Sequence, residues 1–384
     1  MKKIALLLSF VFLLNMQPAH AEDVLPKSFF SYLGSKYLAD PGVILIDQSN
    51  QKVVYQKGET ELRAPASVLK LISTSAIALN METSTVFKTA IYSTAKPGEF
   101  LIVGDDDPWI TSSSKEAARL KRAYLPSLLK AALSHKNNLK TISLLYTGVS
   151  GSDIKTARRV LRKTSSIRYK ALGSSVDTST VAVDKIAEIK SPTLASIINF
   201  TLLYSDNLLA QRLAMLATVR FGYPGNKEGL NQMVNEKLTA LNIDINGLHL
   251  EDGSGISGGN RVSAVTISQL LLKVRAEPKL KIIYDSLPVG GVSGTLIGRY
   301  RGTAPQAVGL VRAKTGSTRH TVSLAGFATS GEKEYVFVVI ANHVGSTKRK
   351  QNAARAAIDR MLGTITKPPV IPTTTTTALT TATN

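Results

Sequence analysis

A serine and a lysine three residues apart, Ser67 and Lys70, could form the centre of an acyl-transfer site. Residues i and i+3 of a helix share a face, so the Lys70 amine would lie beside the Ser67 hydroxyl. If burial or nearby charge lowers its pKa, a neutral amine can take the serine proton. The unpaired N–H of Ser67 at a helix start could also form half of an oxyanion hole.

This spacing alone is a weak signal, because it is common in the chain. Ser-x-x-Lys begins at Ser49, Ser67, Ser93, Ser112, Ser127, Ser152 and Ser330. At Ser67 the motif follows Pro65-Ala66 and stands at the predicted start of an apolar helix. Taken alone, it would be interpreted as a helix cap with a surface lysine.

Two later triplets change that interpretation. Ser205-Asp206-Asn207 is the one Ser-x-Asn of the sequence and lies in a predicted turn between two helices, where it could project a hydroxyl and an amide into a cleft. Lys314-Thr315-Gly316 is the one Lys-Thr-Gly and follows a β-rich run. A strand edge there could pair with an extended peptide, a glycine lets its backbone approach, and Lys314 could attract a carboxylate.

The order Ser-x-x-Lys, Ser-x-Asn, Lys-Thr-Gly resembles that of the penicillin-recognising serine enzymes, which include DD-peptidases and serine β-lactamases. Ser67 and Ser205 are 138 residues apart. An insertion of this size is similar to the penicillin-binding protein 4 type, the D-alanyl-D-alanine carboxypeptidase/endopeptidase family of low-molecular-mass class C penicillin-binding proteins. Further strings that resemble the family are Leu101–Pro108, Leu250–Ser257, Asn260-Arg261, Leu287–Gly291, Gly294–Leu296 and Leu324–Phe327.

The resemblance implies a mixed α/β (α+β) fold of the serine β-lactamase/DD-peptidase type. Such a fold has an antiparallel sheet flanked by helices, an all-helical part and, here, a small inserted α/β lobe. It also implies a serine-type D-Ala-D-Ala carboxypeptidase, with DD-endopeptidase activity as a second outcome, that acts on peptidoglycan stem peptides and is acylated by β-lactams. No cofactor or metal is implied.

The resemblance also implies a role for each motif residue. Ser67 is the nucleophile, Lys70 its base, and Ser205, hydrogen-bonded between Lys70 and Lys314, relays a proton to the leaving amine. Asn207 holds the acyl-side amide of the substrate. Lys314 and Thr315 bind the terminal carboxylate, and Gly316 lets the substrate backbone approach. The backbone N–H groups of Ser67 and Ser317 form the oxyanion hole.

Two segments depart from the family pattern. Ser317-Thr318-Arg319-His320 stands where the family more often has Thr and an apolar residue, so Arg319 and His320 could alter substrate preference. Gly258-Gly259 stands where the family often has a charged pair, which puts the binding role of that loop in question.

Two other classes of protein stay open at this point. A β-lactamase needs fast deacylation, but the sequence has no Glu-x-x-Leu-Asn motif to position a hydrolytic water. A non-catalytic wall-binding protein of the same fold would be expected to lack a nucleophile, base or relay residue, and all three are present.

The ends of the chain indicate export. Lys2-Lys3, an apolar run and Ala19-His20-Ala21 form the pattern of a secretory signal, so we expect cleavage after Ala21 and a periplasmic, extracellular or wall-associated protein without a transmembrane anchor. The predicted organisation is a signal peptide at 1–21, a discontinuous catalytic domain at 22–95 and 171–366, an inserted lobe at 96–170, and a disordered Thr/Pro-rich tail at 367–384.

The inserted segment carries much of the positive charge. Residues 115–170 contain fourteen Lys or Arg against Glu116 and Asp153, a net charge of +12. Such a field attracts polyanions. For an exported protein these would be anionic wall polymers rather than nucleic acid, although a solvated face that aids solubility is an equal alternative. The chain has no cysteine and only five scattered histidines, which argues against a disulfide or a zinc site.

The apolar patterns predict the elements that position these motifs. We expect a hairpin of 42–47 with 52–55, a helix from Ser67, strands at 100–103 and 141–146, helices at 192–200 and 208–216, strands at 309–313, 321–328 and 334–341, and a helix at 348–362.

Overall fold

The computed structural model describes residues 25–135, 139–173 and 176–368. The expected signal peptide (1–21) and the expected tail from residue 369 onward lie outside the described residues. Lys367, the first residue of that tail, forms a bridge with Ser330 at the end of a strand. Within the described ranges, no helix is both long and apolar enough to cross a bilayer.

Eleven α-helices and twelve strands, numbered in chain order, make up the described fold. The helices are α1 (Lys27–Leu33), α2 (Lys70–Asn80), α3 (Ser114–Leu120), α4 (Leu125–Ser134), α5 (Gly151–Leu161), α6 (Leu194–Tyr204), α7 (Asn207–Arg220), α8 (Lys227–Ala240), α9 (Ala264–Ala276), α10 (Lys281–Asp285) and α11 (Lys348–Gly363). The strands are β1 (Gly42–Asp47), β2 (Val53–Lys57), β3 (Val86–Ser93), β4 (Glu99–Gly104), β5 (Ile110–Thr111), β6 (Ala123–Tyr124), β7 (Thr141–Thr147), β8 (Ser166–Ala171), β9 (Lys185–Thr193), β10 (Val311–Ser317), β11 (Val322–Ser330) and β12 (Lys333–Ala341).

The first sheet has the order β10-β11-β12-β1-β2 and is antiparallel throughout. All six residues of β1 are buried. Successive side chains of a strand point to opposite faces. Ile44 and Ile46 therefore join the larger core with the helical part, whereas Val43 and Leu45 join a second core under α1 and α11. The sheet is covered on both faces, and its β10 edge is the one that carries the Lys-Thr-Gly motif.

The helical part surrounds α2, the helix that Lys70 begins. Every residue of α2 from Lys70 to Ala78 is buried. A helix that is buried all round belongs at the centre of a core, and α2 packs against α6, α7, α8, α9 and α10. The nucleophile motif is thus anchored on the most enclosed helix of this part of the fold.

A second sheet forms the inserted lobe, in the order β8-β7-β4-β3-β9. Its strands β4, β7 and β8 run parallel, with α3 and α4 in the first crossover and α5 in the second. The predicted lobe limits, 96 and 170, fall inside this sheet, because it extends from Val86 to Thr193. We therefore propose a lobe of residues 86–193 in place of 96–170.

Most predicted elements have the positions that the patterns indicated, with two differences. Pro192 was expected in the first turn of a helix, but it lies near the end of β9, and α6 begins at Leu194. The β-run expected to end at Ala313 continues to Ser317, so Lys314-Thr315-Gly316 lies inside β10 rather than after it. In both cases pairing with a neighbouring strand lengthens the element beyond its apolar pattern.

Candidate active site

Ser67 lies in a short 3-10 turn, Ala66–Leu69, that leads into α2. The helix start was therefore predicted correctly, although its first turn is tighter than an α-helix. Ala66 has a φ of +49°, a left-handed conformation that costs a non-glycine residue roughly 1–2 kcal/mol. Gly255 packs against this turn so closely that an added Cβ would lie 1.9 Å from the Ala66 carbonyl oxygen. The backbone that presents Ser67 is thus held in place by a distant loop.

Lys70 is the centre of a hydrogen-bond network. Its Nζ lies 2.8 Å from Ser67 Oγ, 2.7 Å from Asn207 Oδ1 and 2.6 Å from the Ser254 carbonyl oxygen. The side chain is fully buried. Burial lowers the pKa of Lys70 to about 8, against the opposing effects of the Asp252 and Asp206 carboxylates. An amine with this pKa is neutral in a useful fraction of molecules near neutral pH and can act as a base.

Each of the three side chains of the Ser205-Asp206-Asn207 turn makes a different contact. Ser205 ends α6 in a left-handed conformation (φ 58°), and its Oγ accepts a hydrogen bond from Lys314 Nζ at 2.9 Å. Asp206 caps α7 by accepting from Leu209 N at 2.9 Å. Asn207 contacts Lys70, so the turn connects the two lysines.

One expected contact differs. Ser205 was expected to bond to both Lys70 and Lys314, but in this structure Lys70 takes Ser67, Asn207 and the Ser254 carbonyl as its three acceptors. An ammonium has three donors, so these acceptors use its full capacity. Ser205 is therefore coupled to Lys314, and the Lys70 amine reaches it only if one of these bonds breaks.

Lys314 is also fully buried, and its Nζ donates to Ser205 Oγ and to the Thr315 carbonyl at 2.9 Å each. Burial, with a further contribution from the charge of Lys70, lowers the pKa of Lys314 well below its usual value. Thr315 Oγ1 lies 2.8 Å from Thr295 Oγ1 on the neighbouring loop. The Lys314 amine is thus buried behind the strand, while hydroxyls form the outer side of the strand.

Gly316 is required by close packing between β10 and the nucleophile turn. A Cβ at this position would lie 2.1 Å from Ser323 Oγ and 2.7 Å from the Pro65 carbonyl oxygen. Ser323 Oγ itself donates to that carbonyl at 2.6 Å. Ser317, at the end of the strand, is exposed, and its Oγ accepts from Arg355 Nη2 at 2.8 Å.

The nucleophile opens into a cleft of about 630 Å³. Its lining includes Ser67, Asn207 and Gly258, which follows the Asp-Gly-Ser-Gly loop at 252–255. Residues 317–321, at and after the end of β10, also line it, so the exposed Arg319 and His320 lie in the cleft lining.

The Asp-Gly-Ser-Gly loop at 252–255 makes a contact with Lys70 that the sequence did not predict. Asp252 accepts from the backbone N–H of Ser254 at 2.6 Å, of Gly255 at 2.7 Å and of Ser257 at 2.8 Å. Burial opposes its charge, but hydrogen bonds from the Ser254 hydroxyl, the Ser257 N–H and the Asn260 side chain outweigh the burial and lower the pKa of Asp252. These hydrogen bonds fix the loop in a conformation in which the Ser254 carbonyl accepts from Lys70. A side-chain motif cannot reveal a contact that the backbone makes.

Solved structures have the same fold. Penicillin-binding protein 4 (DacB) of Haemophilus influenzae matches with a TM-score of 0.66 at 19% identity and covers 84% of this chain and 95% of that chain. A penicillin G-acylated predatory endopeptidase of Bdellovibrio bacteriovorus, in complex with an immunity protein, matches with a TM-score of 0.56 at 16% identity, covering 86% and 94%. At these identities the likeness shows the fold.

Curated relatives and a family model identify the family. Carboxypeptidase DacB of Mycolicibacterium smegmatis is 27% identical over 381 residues, covering 85% of this chain and 82% of the relative. A D-alanyl-D-alanine carboxypeptidase of Actinomadura sp. is 42% identical over 114 residues, which are 28% of this chain and 21% of that protein. The model of the D-Ala-D-Ala carboxypeptidase 3 (S13) family matches residues 163–365, more than half of the chain. The chain therefore belongs to the D-Ala-D-Ala carboxypeptidase 3 (S13) family.

Proposed function

We propose that this protein is a serine-type D-Ala-D-Ala carboxypeptidase that trims peptidoglycan stem peptides through an acyl-enzyme on Ser67. The observation that carries the proposal is the buried Lys70 amine, 2.8 Å from Ser67 Oγ and with a pKa lowered to about 8. Membership of the S13 family supplies the substrate class.

In the first step Ser67 Oγ bonds to the carbonyl carbon of the penultimate D-Ala, and its proton passes to Lys70. The backbone N–H groups of Ser67 and Ser317 stabilise the oxyanion. The bond to the terminal D-Ala then breaks, and its amine takes a proton from Ser205. Lys314 restores that proton, since burial and the nearby Lys70 charge make its ammonium a ready donor.

In the second step water hydrolyses the ester. Ser205 gives its proton to the neutral Lys314 amine and takes a proton from the water. The water oxygen attacks the ester carbon at the same time. Lys70, protonated in the first step, returns a proton to Ser67 as the ester breaks. Both lysines end in their starting states, so the cycle balances without a cofactor.

Residues 288–290 already pair with the first residues of β10, from Val311 to Ala313. The substrate would therefore lie along the later part of β10, from Lys314 to Ser317, where an extended peptide can add to the sheet. Asn207 would donate through its Nδ2 to the acyl-side amide, since its Oδ1 faces Lys70. The Thr315 hydroxyl would bind the terminal carboxylate, with the buried Lys314 charge behind it. Gly316 keeps this edge close to the nucleophile.

β-Lactams should acylate Ser67, because penicillin G acylates the Bdellovibrio endopeptidase, which has the same fold. That neighbour acts as a predatory endopeptidase, which favours cross-linked stem peptides as a second substrate for this chain. Both substrates are cut on the carboxyl side of the same kind of D-Ala, so one site serves both reactions.

The test is release of D-Ala from a stem pentapeptide by the wild type and by Ser67→Ala. We expect the variant to lose at least a thousandfold in kcat while its melting temperature stays unchanged. Ser152→Ala is the matched control, because it begins another Ser-x-x-Lys but lies exposed on α5. Undiminished release by Ser67→Ala would overturn the proposal.

We also propose that the protein is exported and that the lobe binds an anionic wall polymer. The cations on α5, the following turn and β8 are exposed: Lys155, Arg158, Arg159, Arg162, Lys163, Arg168 and Lys170. The two carboxylates of residues 115–170 pair with other arginines, Glu116 with Arg122 and Asp153 with Arg212. None of the seven exposed cations therefore forms an ion pair with a described residue of that segment, which supports polyanion binding.

Sedimentation with purified walls tests this surface. Replacing Arg158, Arg159, Arg162 and Lys163 with Gln should reduce the pelleted fraction at low salt. The control replaces four exposed cations of α11 (Lys348, Arg349, Lys350 and Arg360) with Gln, which removes the same charge elsewhere. Equal sedimentation of the two variants would show that net charge alone, and not this surface, controls binding.

A further inference from the structure

Arg122 is an inserted-lobe residue that is buried towards the catalytic part of the fold. Its side chain is 2% exposed. Nε donates to the Trp109 carbonyl at 3.3 Å, the guanidinium lies 5.0 Å from the Trp109 ring, and Nη1 is 3.4 Å from Glu116 Oε2. Among the described residues, Nη2 has no hydrogen-bond partner. Glu116 is itself partly exposed, so this one distant contact does not account for a buried charge.

Burial opposes the Arg122 charge and lowers the pKa of Arg122, and nearby carboxylates compensate in part. The largest compensation comes from Asp206, in the Ser-x-Asn turn across the lobe boundary. Glu116 and Asp107 of the lobe add to it, while Arg212 opposes it. Asp206 is the residue whose side chain caps α7. Packing connects the same two parts: Trp109, on which Arg122 lies, contacts Phe200 of α6 with 5.2 Å between ring centroids, and Phe200 contacts Tyr204, the residue before Ser205, at 4.7 Å. A buried lobe arginine is therefore coupled to the active-site turn by side-chain packing as well as by charge.

Arg212 attaches the same helix to the lobe. Its Nη1 donates to the carbonyls of Pro108 at 3.2 Å and Ile110 at 2.8 Å, and its Nη2 pairs with Asp153 at 2.5 Å. The preceding residue, Gln211, accepts from Gly253 N at 2.7 Å in the loop that also contacts Lys70. α7 is thus held between the lobe and the active-site loop.

We infer that Arg122 and Arg212 are positioning residues, through which the inserted lobe fixes the Ser205–Asn207 turn and balances the charge beside Lys70. The inference rests on the proposed function, because it assigns these arginines to the Ser67 acylation reaction. It gives the lobe a role in the reaction in addition to any binding of wall polymer.

The electrostatic consequence follows from the groups that face Lys70. Its Nζ contacts Ser67, Asn207 and the Ser254 carbonyl; the Asp252 and Asp206 carboxylates raise its pKa against burial. Lys314 is the neighbouring cation. Arg122 offsets part of the Asp206 charge, so loss of Arg122 should raise the pKa of Lys70. Loss of the Asp206 charge should lower it.

The test measures the rate of acylation by a fluorescent penicillin from pH 6 to 10. Arg122→Met should shift the midpoint of the profile upward and lower the rate at pH 7 roughly threefold, which corresponds to about half a pH unit. Asp206→Asn, which keeps an N-cap side chain, should shift the midpoint downward. Arg122→Lys keeps the positive charge and should therefore have the wild-type midpoint. Arg212→Gln should lower the rate at every pH, because it removes bonds that attach α7 to Pro108, Ile110 and Asp153.

Arg168→Met, an exposed substitution in the same lobe, is the control and should leave the profile unchanged. A merely structural role for Arg122 would lower the rate without moving the midpoint. An unshifted midpoint in either Arg122→Met or Asp206→Asn would overturn the inference. If Arg122→Met does not fold, Asp206→Asn and Arg122→Lys still decide the matter. Absence of acylation in the wild type would instead contradict the proposed function.

Discussion

The most informative prediction concerns the protonation of Lys70 and the replacement Lys70→Arg. Lys70 Nζ is 2.8 Å from Ser67 Oγ, and burial lowers its pKa to about 8. If the neutral amine takes the serine proton, acylation requires the deprotonated form. Arginine keeps a positive charge at this position but cannot be deprotonated near neutral pH.

The size of the effect follows from that pKa. With a pKa of about 8, about a tenth of the Lys70 amines are neutral at pH 7 and about nine-tenths at pH 9. The acylation rate should therefore rise about tenfold over these two pH units and level off above them. Lys70→Arg should lower the rate by a factor of about 10² to 10⁴, the usual contribution of a general base.

Stopped-flow or quenched labelling with a penicillin gives the second-order acylation rate at each pH. The melting temperature, measured in the same buffers, confirms that the enzyme stays folded across the range. A rate that is flat from pH 6 to 10, or one that falls as pH rises, would refute the role of Lys70 as the base. So would a Lys70→Arg variant that acylates at the wild-type rate.

Two further predictions concern packing and stability. Gly316→Ala should reduce acylation by about tenfold or more and destabilise the fold by about 1–3 kcal/mol, because its Cβ would lie 2.1 Å from Ser323 Oγ. Gly302→Ala is the control: no atom of the described residues lies within 4 Å of its new Cβ, so it should change neither acylation kinetics nor urea unfolding. Burial raises the pKa of Asp107 to about 7, despite the Trp109 N–H bond. Relative to its value below about pH 4, the free energy of unfolding therefore falls by roughly 4 kcal/mol between about pH 4 and pH 7, where Asp107 ionises in the unfolded but not in the folded state. Asp107→Asn should lack this pH dependence, and equal pH dependence of melting in both proteins would contradict that assignment.

The sequence was sufficient to predict the elements that carry local patterns. The β1–β2 hairpin, the helix that follows Ser67 and the last three strands all have apolar periodicities that the fold keeps. The helix predicted from Ser67 also places Ser67 and Lys70 on one side of the chain, where their side chains contact each other. The family confirms the type of enzyme that these motifs indicated.

The contacts that the sequence did not reveal join distant segments or use the backbone. The third acceptor of Lys70 is the Ser254 carbonyl, which no residue type encodes. Ser205 accepts a hydrogen bond from Lys314 alone of the two lysines, because Lys70 donates to Asn207 instead. The burial of Arg122 was hidden among the exposed cations of its segment, because charge counting treats a buried arginine like a surface one.

The central claim is that Ser67 forms the acyl-enzyme, and peptide-level mass spectrometry tests it most directly. The protein would be incubated with benzylpenicillin, quenched, digested and mapped. We expect one stable adduct, on the peptide that contains Ser67, and none in Ser67→Ala. An adduct on another serine, rapid turnover of the penicillin without an adduct, or no reaction at all would contradict the account.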